Sequence, residues 1–229
     1  MSLFAIGDLH LAIGAPEKNM ELFGGRWVGY EDKLRRGFEL LGEDDLCVIC
    51  GDFCWAMDLA SALPDFRFIN ELPGKKLFVK GNHDYWWTTA AKMNAFFAEN
   101  GLDKLSLLHN NCEFWEDAAL CGTRGWFYEE ETGTEHDAKI LAREVGRLRT
   151  SLEAAGSREK LVFLHYPPLY RHYACPEVLA LLAEYGVKEC CYGHIHGRGA
   201  HAAVIGETGG TIYRLVSADH LDFWPMKLR

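Results

Sequence analysis

The sequence predicts an α/β protein built around a parallel sheet, with polar residues gathered along one edge of that sheet. Short apolar runs alternate with helix-like segments over much of the chain, which is the pattern of βαβ units. Five of these runs stop at a glycine or a sharp turn that carries Asp, Asn or His. Because the carboxyl ends of parallel strands share one edge, we expect these polar residues to meet in space.

Buried strands are predicted wherever a short apolar run is bounded by turn residues. The five strands that end in polar turns are Leu3–Ile6, Leu46–Cys50, Leu77–Val79, Leu161–Leu164 and Glu189–Tyr192. Further short strands are expected at Ser106–Leu108, Glu113–Trp115, Ala118–Cys121, Ala202–Ile205, Thr211–Val216 and Asp222–Trp224.

Helices are predicted where apolar residues recur at helical spacing. These segments are Glu31–Leu41, Ala56–Leu72 with an interruption or offset at Pro64, Thr88–Glu99, Asp137–Ala155 and Val178–Tyr185. The stretch from Leu11 to Tyr30 is rich in glycine and is expected to be a long surface loop, a kind of segment that often carries function.

Length and composition indicate an ordinary globular protein. With 229 residues, 48% of them hydrophobic and 25% charged, the chain can bury one substantial core, and we expect a single domain over residues 1–229. No apolar run approaches the roughly 20 residues that cross a bilayer. The first residues show neither a basic region nor a long apolar stretch, so no signal peptide is expected.

The cysteines and the net charge limit the cellular location and the classes of partner that we expect. Most of the eight cysteines lie inside apolar runs, including the Cys47-x-x-Cys50 pair, and are expected to be buried thiols rather than disulfides, redox groups or zinc ligands. Together with the absence of a signal peptide, this predicts the cytoplasm. The formal net charge of −9 makes duplex nucleic acid a poor partner. An acidic protein that binds a small phosphorylated substrate must attract it locally, and bound cations are one way to do so.

The polar strand ends form a set of metal-ligand residues: Asp8, His10, Asp52, Asn82, His83, His165, His194 and His196. Carboxylates, an amide and imidazoles without thiolate suit Mn, the first choice, and also Fe, Zn, Co, Ni or Mg. Without His83, seven ligands remain, enough for two neighbouring ions if one carboxylate bridges them. Asp52 is the natural bridge, because Asp8 and His10 share one strand end and favour a single ion.

Each motif alone has an ordinary structural explanation. An Asp-x-His pair is common, Gly-Asp is a frequent turn, and a lone His after a strand is usually just hydrogen-bonded. Gly-Asn-His-Asp after a strand and Gly-His-x-His-Gly are more specific. The presence of all five in this order, each at a strand end, favours a metal site over the ordinary explanation.

These motifs resemble those of the calcineurin-like metallophosphoesterases, which are D-x-H, GD, GNH[DE], a strand-end H and GH-x-H. In this chain they stand as Asp8-Leu9-His10, Gly51-Asp52, Gly81-Asn82-His83-Asp84, His165 and Gly193-His194-Ile195-His196. They frame most of the chain. The stretch that continues from the third motif through Tyr85-Trp86-Trp87 is similar to a bacterial branch of phosphohydrolases.

The resemblance implies a four-layer α/β/β/α sandwich, in which helices flank two mixed sheets, and a site for two divalent ions. It implies one ion on Asp8, His10 and His196, the other on Asn82, His165 and His194, and Asp52 as the bridge. His83 would face the substrate as a general acid or as a stabiliser of the phosphoryl oxygens.

The implied reaction is hydrolysis of a phosphate ester by a metal-bridging hydroxide, with a proton or hydrogen bond from His83. Either Asp84 or Asp58 would orient His83. Arg124, in a glycine-bounded loop, is a candidate phosphate clamp or else a solvated charge. Arg171 and His172 are further candidates of the same kind.

Other features bear on the substrate. Protein phosphatases of this superfamily carry an Arg soon after the second motif, and the segment from Gly51 to Asp58 has none, which argues against phosphoprotein substrates. Five tryptophans lie in the motif loops, where they either pack the loops, as we favour, or form a wall for a nucleobase, lipid or aryl group. They are Trp27, Trp55, Trp86, Trp87 and Trp126.

Two rival functions remain open. The first is a non-catalytic metal-binding scaffold on the same fold, in which such a site has decayed; the intact histidine set weighs against it. The second is a two-metal hydrolase of amides or lactones, which the order of the motifs and the Gly-Asn-His-Asp loop disfavour.

Overall fold

The computed structural model describes residues 1–127, 133–171 and 173–229, and two large sheets face each other within it. The strands of the first half of the chain are β1 (Leu3–Ile6), β2 (Leu46–Cys50), β3 (Lys75–Val79), β4 (Leu105–Leu107), β5 (Cys112–Trp115) and β6 (Ala118–Thr123). Those of the second half are β7 (Glu159–Leu164), β8 (Leu169–Tyr170), β9 (Tyr173–Ala174), β10 (Glu189–Tyr192), β11 (Gly206–Thr208), β12 (Thr211–Leu215) and β13 (Met226–Lys227).

Both large sheets are mixed. The first has the order β13-β1-β2-β3-β4, in which β1 to β4 are parallel and β13 is antiparallel to β1. The second has the order β11-β12-β10-β7-β6-β5, in which the four central strands are parallel and both edge strands are antiparallel. β8 and β9 pair with each other as a separate two-stranded ladder.

Helices connect most of the parallel strands. They are α1 (Tyr30–Phe38), α2 (Leu59–Glu71), α3 (Ala90–Glu99), α4 (Glu135–Ala154) and α5 (Pro176–Glu184). Short 3₁₀ helices lie at Pro16–Lys18, Met20–Phe23, Gly25–Trp27 and Gly197–Ala202. No described helix combines the length and the apolar character that crossing a membrane requires.

Successive side chains of each strand point to opposite faces of its sheet, which divides the apolar core into layers. In β1, Leu3 and Ala5 pack between the two sheets, while Phe4 and Ile6 pack against the helices that cover the first sheet. A third cluster lies between the second sheet and the pair α4 and α5. The predicted α/β/β/α sandwich of two mixed sheets flanked by helices is confirmed.

The two sheets are joined at the edge where the motif loops emerge. The N–H of Gly7, directly after β1, donates to the carbonyl of Val216 over 2.7 Å, and Gly7 forms a parallel bridge with Ser217. Residues at the ends of β7 and β10, Leu164 and Tyr192, are paired in register. The carboxyl ends of the central strands of both sheets therefore open toward one region.

Two predicted strands near the end of the chain are wrong. The segment Ala202–Ile205 begins with the last residue of a 3₁₀ helix, and the strand begins only at Gly206. The segment Asp222–Trp224 is a turn, in which Asp222 and Phe223 have left-handed φ values of 50° and 66°. Phe223 is fully buried and packs edge-on against Trp27, so its hydrophobicity reflects this contact and not a sheet position.

Candidate metal centre and active site

The first sheet delivers two carboxylates and an imidazole through strained turns. Asp8 and His10 follow β1 and Asp52 follows β2, with left-handed φ values of 54°, 46° and 49°. Non-glycine residues rarely adopt this conformation, which costs on the order of 1–3 kcal/mol and is concentrated at functional sites. All three side chains are buried. The backbone thus turns them inward, off the ends of the strands.

The glycines of the third and fifth motifs allow the loops to approach each other. A β-carbon at Gly81 would lie 2.2 Å from both the backbone nitrogen and Oδ1 of Asp52. One at Gly193 would lie 2.5 Å from Oδ2 of Asp8. Any side chain at either position would therefore displace a carboxylate of the candidate site.

Asn82, His165 and His194 converge on one point. The Asn82 Oδ1 lies 2.6 Å from Nε2 of His165 and 3.0 Å from Nδ1 of His194. The two imidazole nitrogens are 3.3 Å apart. His194 is held in place because its backbone N–H donates to both oxygens of Asp8, at 3.0 and 2.9 Å. Residues from both sheets thus meet here.

The tautomer of His165 follows from its surroundings. Its Nδ1 lies 3.0 Å from the carbonyl oxygen of Cys50, which can only accept, so Nδ1 carries the proton. Burial lowers the pKa of His165, which keeps the ring neutral. Its Nε2 lone pair then points toward Asn82 and Asp52. This is the arrangement in which a histidine serves as a metal ligand.

Asp52 lies between two groups of histidines. Its Oδ2 is 3.8 Å from Nε2 of His10, and its Oδ1 is 3.5 Å from Nε2 of His165. The ring of His10 contacts that of exposed His196, with centroids 5.3 Å apart. Among the residues that the structure describes, two sets have ligand atoms within 4.8 Å of one another: Asp8, His10 and His196, and Asp8, Asp52 and His165.

These residues fit divalent ions. Both ring nitrogens of His10 are buried without a hydrogen-bond partner in the described part of the chain, and burial lowers the pKa of His10 to about 3. A buried neutral imidazole with an orphaned nitrogen is a poor structural element and a good metal ligand. Burial, followed by the negative charge of Asp52, raises the pKa of Asp8, so a cation bound between these two carboxylates would be stabilised by both.

Comparison with known protein families agrees with this donor set. The profile of the calcineurin-like phosphoesterases matches residues 1–198. The chain belongs to the calcineurin-like phosphoesterases. The resemblance expected from the motifs is therefore confirmed, and phosphate-ester hydrolysis with divalent ions is the activity of this family. No curated protein matched this phosphoesterase.

Solved structures with the same fold are distant in sequence. The phosphopantetheinyl hydrolase of Mycobacterium tuberculosis has a TM-score of 0.62 and 16% identity, over 99% of this chain and 95% of that chain. A protein of unknown function from Aquifex aeolicus has a TM-score of 0.55 and 14% identity over the same shares. A Thermus thermophilus protein has a TM-score of 0.53 and 17% identity, over 93% and 87%. At these identities the likeness concerns the fold alone.

His83 lies at the rim of the phosphoesterase site. Its backbone N–H donates to Oδ1 of Asp52 over 2.8 Å, and its half-buried ring lies 4.6 Å from that of Trp55, between centroids. The hydroxyl of Tyr85 is 3.4 Å from its Nδ1. The ring centroid of His10 is 5.8 Å away. His83 therefore neighbours the ligand cluster while its ring stays outside the two sets described above.

Neither carboxylate expected to orient His83 hydrogen-bonds to its ring. Asp84 is buried and accepts from the backbone N–H groups of Gly81, Asp52 and Phe53, at 2.6, 3.0 and 2.9 Å. Asp58 caps α2 through the N–H of Ser61. Asp84 instead ties the second motif loop to the third, a role that the sequence alone did not indicate. Burial, followed by the charge of Asp52, raises the pKa of Asp84 to about 7.

The candidate phosphate-binding arginines have different surroundings. The carbonyl of Arg124 accepts from the N–H groups of His165 and Tyr166, while its Nη2 lies 3.6 Å from Glu144 on α4. Exposed Arg171 lies over the ring of Tyr170, 5.0 Å from its centroid. His172 lies outside the described residues.

The tryptophans of the motif loops are mainly packing residues. Trp27, Trp86 and Trp87 are buried. Half-buried Trp55 stacks on the ring of His10, with 4.9 Å between centroids and 21° between planes. Trp55 thereby packs against His10, a candidate metal ligand, and also against the ring of His83. No sequence pattern indicates this contact, because the residues come from different strand ends.

A cavity of about 220 Å³ opens beside the candidate ligand cluster of the phosphoesterase. Phe127, Tyr170 and Tyr173 supply an aromatic wall, and His194 and His196 form its border with the candidate metal site. An aromatic wall next to the reacting group is suited to hold an apolar or planar part of a substrate. None of these three aromatic residues was singled out from the sequence.

Proposed function

We propose that this protein is a binuclear metal-dependent phosphohydrolase. Asp8, His10 and His196 would hold one ion, and Asn82, His165 and His194 the other. The observation that supports this most strongly is the position of Asp52, whose two oxygens face His10 and His165, one from each set. A carboxylate so placed is suited to bridge two ions. We propose manganese as the metal, since the mixed oxygen and nitrogen ligands suit it.

Ions bound there would offset the charge of the phosphoryl oxygens and lower the pKa of a water nucleophile toward neutrality. The chain itself positions these charges. Asp84 fixes the second motif loop against the third, and the Cys50 carbonyl orients His165. Asn82 would also contact the substrate phosphoryl group through its amide.

His83 is proposed as the general acid or phosphoryl stabiliser. It lies next to the bridging carboxylate through its own N–H, and its ring stays outside the two ligand sets. From there it can give a hydrogen bond or a proton to the leaving oxygen, an effect typically worth about 10²–10⁴-fold in rate. Asp84 is then a positioning residue, which acts through the loop that carries His83.

The proposed substrate is a small phosphate ester with an apolar or nucleotide-like group. The aromatic cavity beside His194 and His196 supports this group, and Arg124 remains a proposed phosphate contact. The phosphopantetheinyl activity named for the Mycobacterium tuberculosis neighbour is one ester of this general kind to assay. The eight free cysteines, nearly all buried, are in keeping with the cytoplasm as the proposed location.

The test is hydrolysis of p-nitrophenyl phosphate and bis-p-nitrophenyl phosphate by metal-stripped protein refilled with Mn. His83→Ala should keep both ions and lose most of the rate, whereas Asp52→Asn should lose metal and rate together. The preferred ester will assign the enzyme as a monoesterase or diesterase. Normal metal content and turnover in Asp52→Asn would contradict the bridging role.

The same assay separates the rival functions. A scaffold would bind two ions and hydrolyse neither ester, nor any wider panel of phosphate esters. An amide or lactone hydrolase would cleave those substrates and leave the esters intact. Metal-dependent ester cleavage that falls in His83→Ala would exclude both.

A further inference from the structure

A cluster of cations lies next to the candidate metal site, at the same edge of the two sheets. Lys80 directly follows β3 and precedes the Gly81–Asp84 loop, and Arg124 directly follows β6. Together with Arg147 of α4, they line a small pocket that Thr123, His109 and Asn110 complete. The pocket is thus built at the carboxyl ends of β3, β4 and β6, where the motif loops also begin.

A second, larger cavity adjoins the first through shared residues. It measures about 220 Å³ and is lined by Arg124 and Arg147 again, with Ile140, Arg143 and Glu144 from α4. Among the described residues that line the two neighbouring cavities, four carry positive charge: Lys80, Arg124, Arg143 and Arg147. In a chain with a formal net charge of −9, this is a marked local excess, and such an excess attracts anions.

The carboxylate of Glu144 orients the cations without neutralising them. It is buried, lies 2.5 Å from Nη1 of Arg147 and 3.6 Å from Nη2 of Arg124, and accepts the hydroxyl of Thr123 over 3.0 Å. One carboxylate can balance one of the four charges. The arrangement holds two guanidinium groups side by side, which is how proteins present them to phosphate.

Two donors of the cluster lack a partner in the part of the chain that the structure describes. There, the ammonium group of half-buried Lys80 makes neither a hydrogen bond nor an ion pair. The Nε of Arg124 is buried and unpaired among the same residues. A cluster that served only to anchor α4 would not leave the buried Nε of Arg124 without an acceptor, since unsatisfied buried donors are costly. Lys80 is half-buried, so its ammonium group can reach a ligand in the pocket that it lines. These two donors point to an anionic ligand.

We infer that this cluster, named here the distal basic site, binds a second phosphoryl group of the substrate. The inference rests on the proposed function, because the metal site would hold the phosphoryl group that is cleaved. The enzyme would then prefer bisphosphorylated substrates to monophosphates of the same skeleton. The backbone connects the distal basic site to the candidate metal site. Lys80 is joined to Asn82 through Gly81, and the carbonyl of Arg124 accepts from the N–H of His165.

The test uses α,ω-alkanediol monophosphates and bisphosphates of increasing chain length, with the metal-loaded enzyme. At least one bisphosphate should exceed its monophosphate in kcat/KM by about tenfold or more, mainly through a lower KM, as charge-assisted contacts allow. Lys80→Gln and Arg147→Gln should each remove this preference and keep turnover of the monophosphate. Lys80→Gln breaks no ion pair among the described residues, so this variant should fold like wild type, and its effect can be attributed to the lost charge.

Arg149→Gln is the matched control. It removes the same charge from the same helix, but Arg149 pairs with Glu184 on α5, away from the cluster. This variant should retain the bisphosphate preference. If no bisphosphate is preferred, or if the variants at Lys80 and Arg147 slow both substrate classes equally, the inference is wrong.

A binding measurement distinguishes this inference from the proposed function. Calorimetry of the full chain without added metal should show binding of 1,4-butanediol bisphosphate that weakens about tenfold in Lys80→Gln and is unchanged in Arg149→Gln. Equal affinity in all three proteins would overturn the distal basic site. If the protein shows this binding pattern but cleaves no ester, the proposed hydrolase function is wrong and the distal basic site is still supported.

Discussion

At the scale of single residues, the candidate site is held by backbone that ordinary side chains avoid. His194 has a left-handed φ of 68°, like Asp8, His10 and Asp52. Hydrogen bonds between loops compensate for the strain. The N–H of Asp8 donates to the Gly51 carbonyl over 2.9 Å, and that of His10 to the Asp52 carbonyl over 3.0 Å. The loops are therefore mutually dependent, and a change in one should disturb the ligands of another.

Replacing Gly81 with alanine tests this dependence. The new methyl group would lie 2.2 Å from backbone and carboxylate atoms of Asp52, so Gly81→Ala should displace the proposed bridge. We expect loss of most bound metal and of turnover, measured by elemental analysis and by ester hydrolysis. Gly42→Ala is the control, because its added carbon finds its nearest neighbour at 3.7 Å. Full metal content in Gly81→Ala would show that the loop can move at no cost.

Asp84 offers a second test at this scale. Its carboxylate accepts three backbone N–H groups, and the amide of Asp84→Asn would present a donor to at least one of them. The variant should therefore lose metal and rate together, unlike His83→Ala, which should lose rate alone. Elemental analysis of both variants after gel filtration distinguishes the two patterns. Asp84→Asn with two ions and low rate would instead make Asp84 a direct partner in the chemistry.

At the scale of elements, the sequence pattern predicted the helices and the central strands well. One face of each helix is buried, which gives a helical period, and both faces of the central strands are buried, which gives short continuous apolar runs. The pattern failed where one contact dominates, as in the turn that buries Phe223. Helix α2 runs without a break through Pro64, where the sequence predicted an interruption or offset. The long loop before Tyr30 was predicted as irregular, and the structure shows three short 3₁₀ helices there.

That long loop is anchored by a side chain that the sequence did not single out. Asp65 of α2 is buried and accepts from the N–H groups of Ile13 and Gly14, at 2.8 and 3.2 Å. Burial, which outweighs these hydrogen bonds, raises its pKa to about 6. The folded state therefore binds this proton more tightly than the unfolded state, whose pKa is near 3.8.

The sign of the resulting pH dependence is fixed by linkage. As pH rises from about 4 to about 6, the contribution of Asp65 to the free energy of unfolding should fall, by roughly 1–3 kcal/mol. Asp65→Asn cannot titrate, so wild type should lose stability relative to this variant across that range. Urea unfolding of both proteins at pH 4 and pH 7 measures the difference. A difference that stays constant or grows with pH would contradict the raised pKa.

At the scale of the whole molecule, the motifs predicted which residues lie at strand ends, but not how the two sheets meet. Each candidate ligand position follows from a strand that stops at a turn, and a single sequence shows this directly. The bridge from Gly7 to Ser217, and the fit of Gly193 against Asp8, depend on contacts between distant segments. Such contacts leave no local pattern, so the sequence alone could not give the geometry that brings Asp8 and His194 together.

This division of the site between the sheets predicts that metal stabilises the entire fold. Asp8, His10, Asp52 and Asn82 follow strands of the first sheet, and the remaining histidines follow strands of the second. Ions that bind only the folded state, at about a hundred times their Kd, add about 2.7 kcal/mol to the free energy of unfolding. For a chain of this size, that corresponds to a rise in Tm of several degrees.

Thermal unfolding with Mn and with a chelator should show this shift in wild type and in His83→Ala. Asp52→Asn should show little or none of it, because its bridging carboxylate is missing. The comparison needs no catalytic turnover, so it tests the ligand set independently of the reaction. An equal shift in Asp52→Asn would mean that the ions bind without the proposed bridge, and the two sheets would then be joined by their backbone contacts alone.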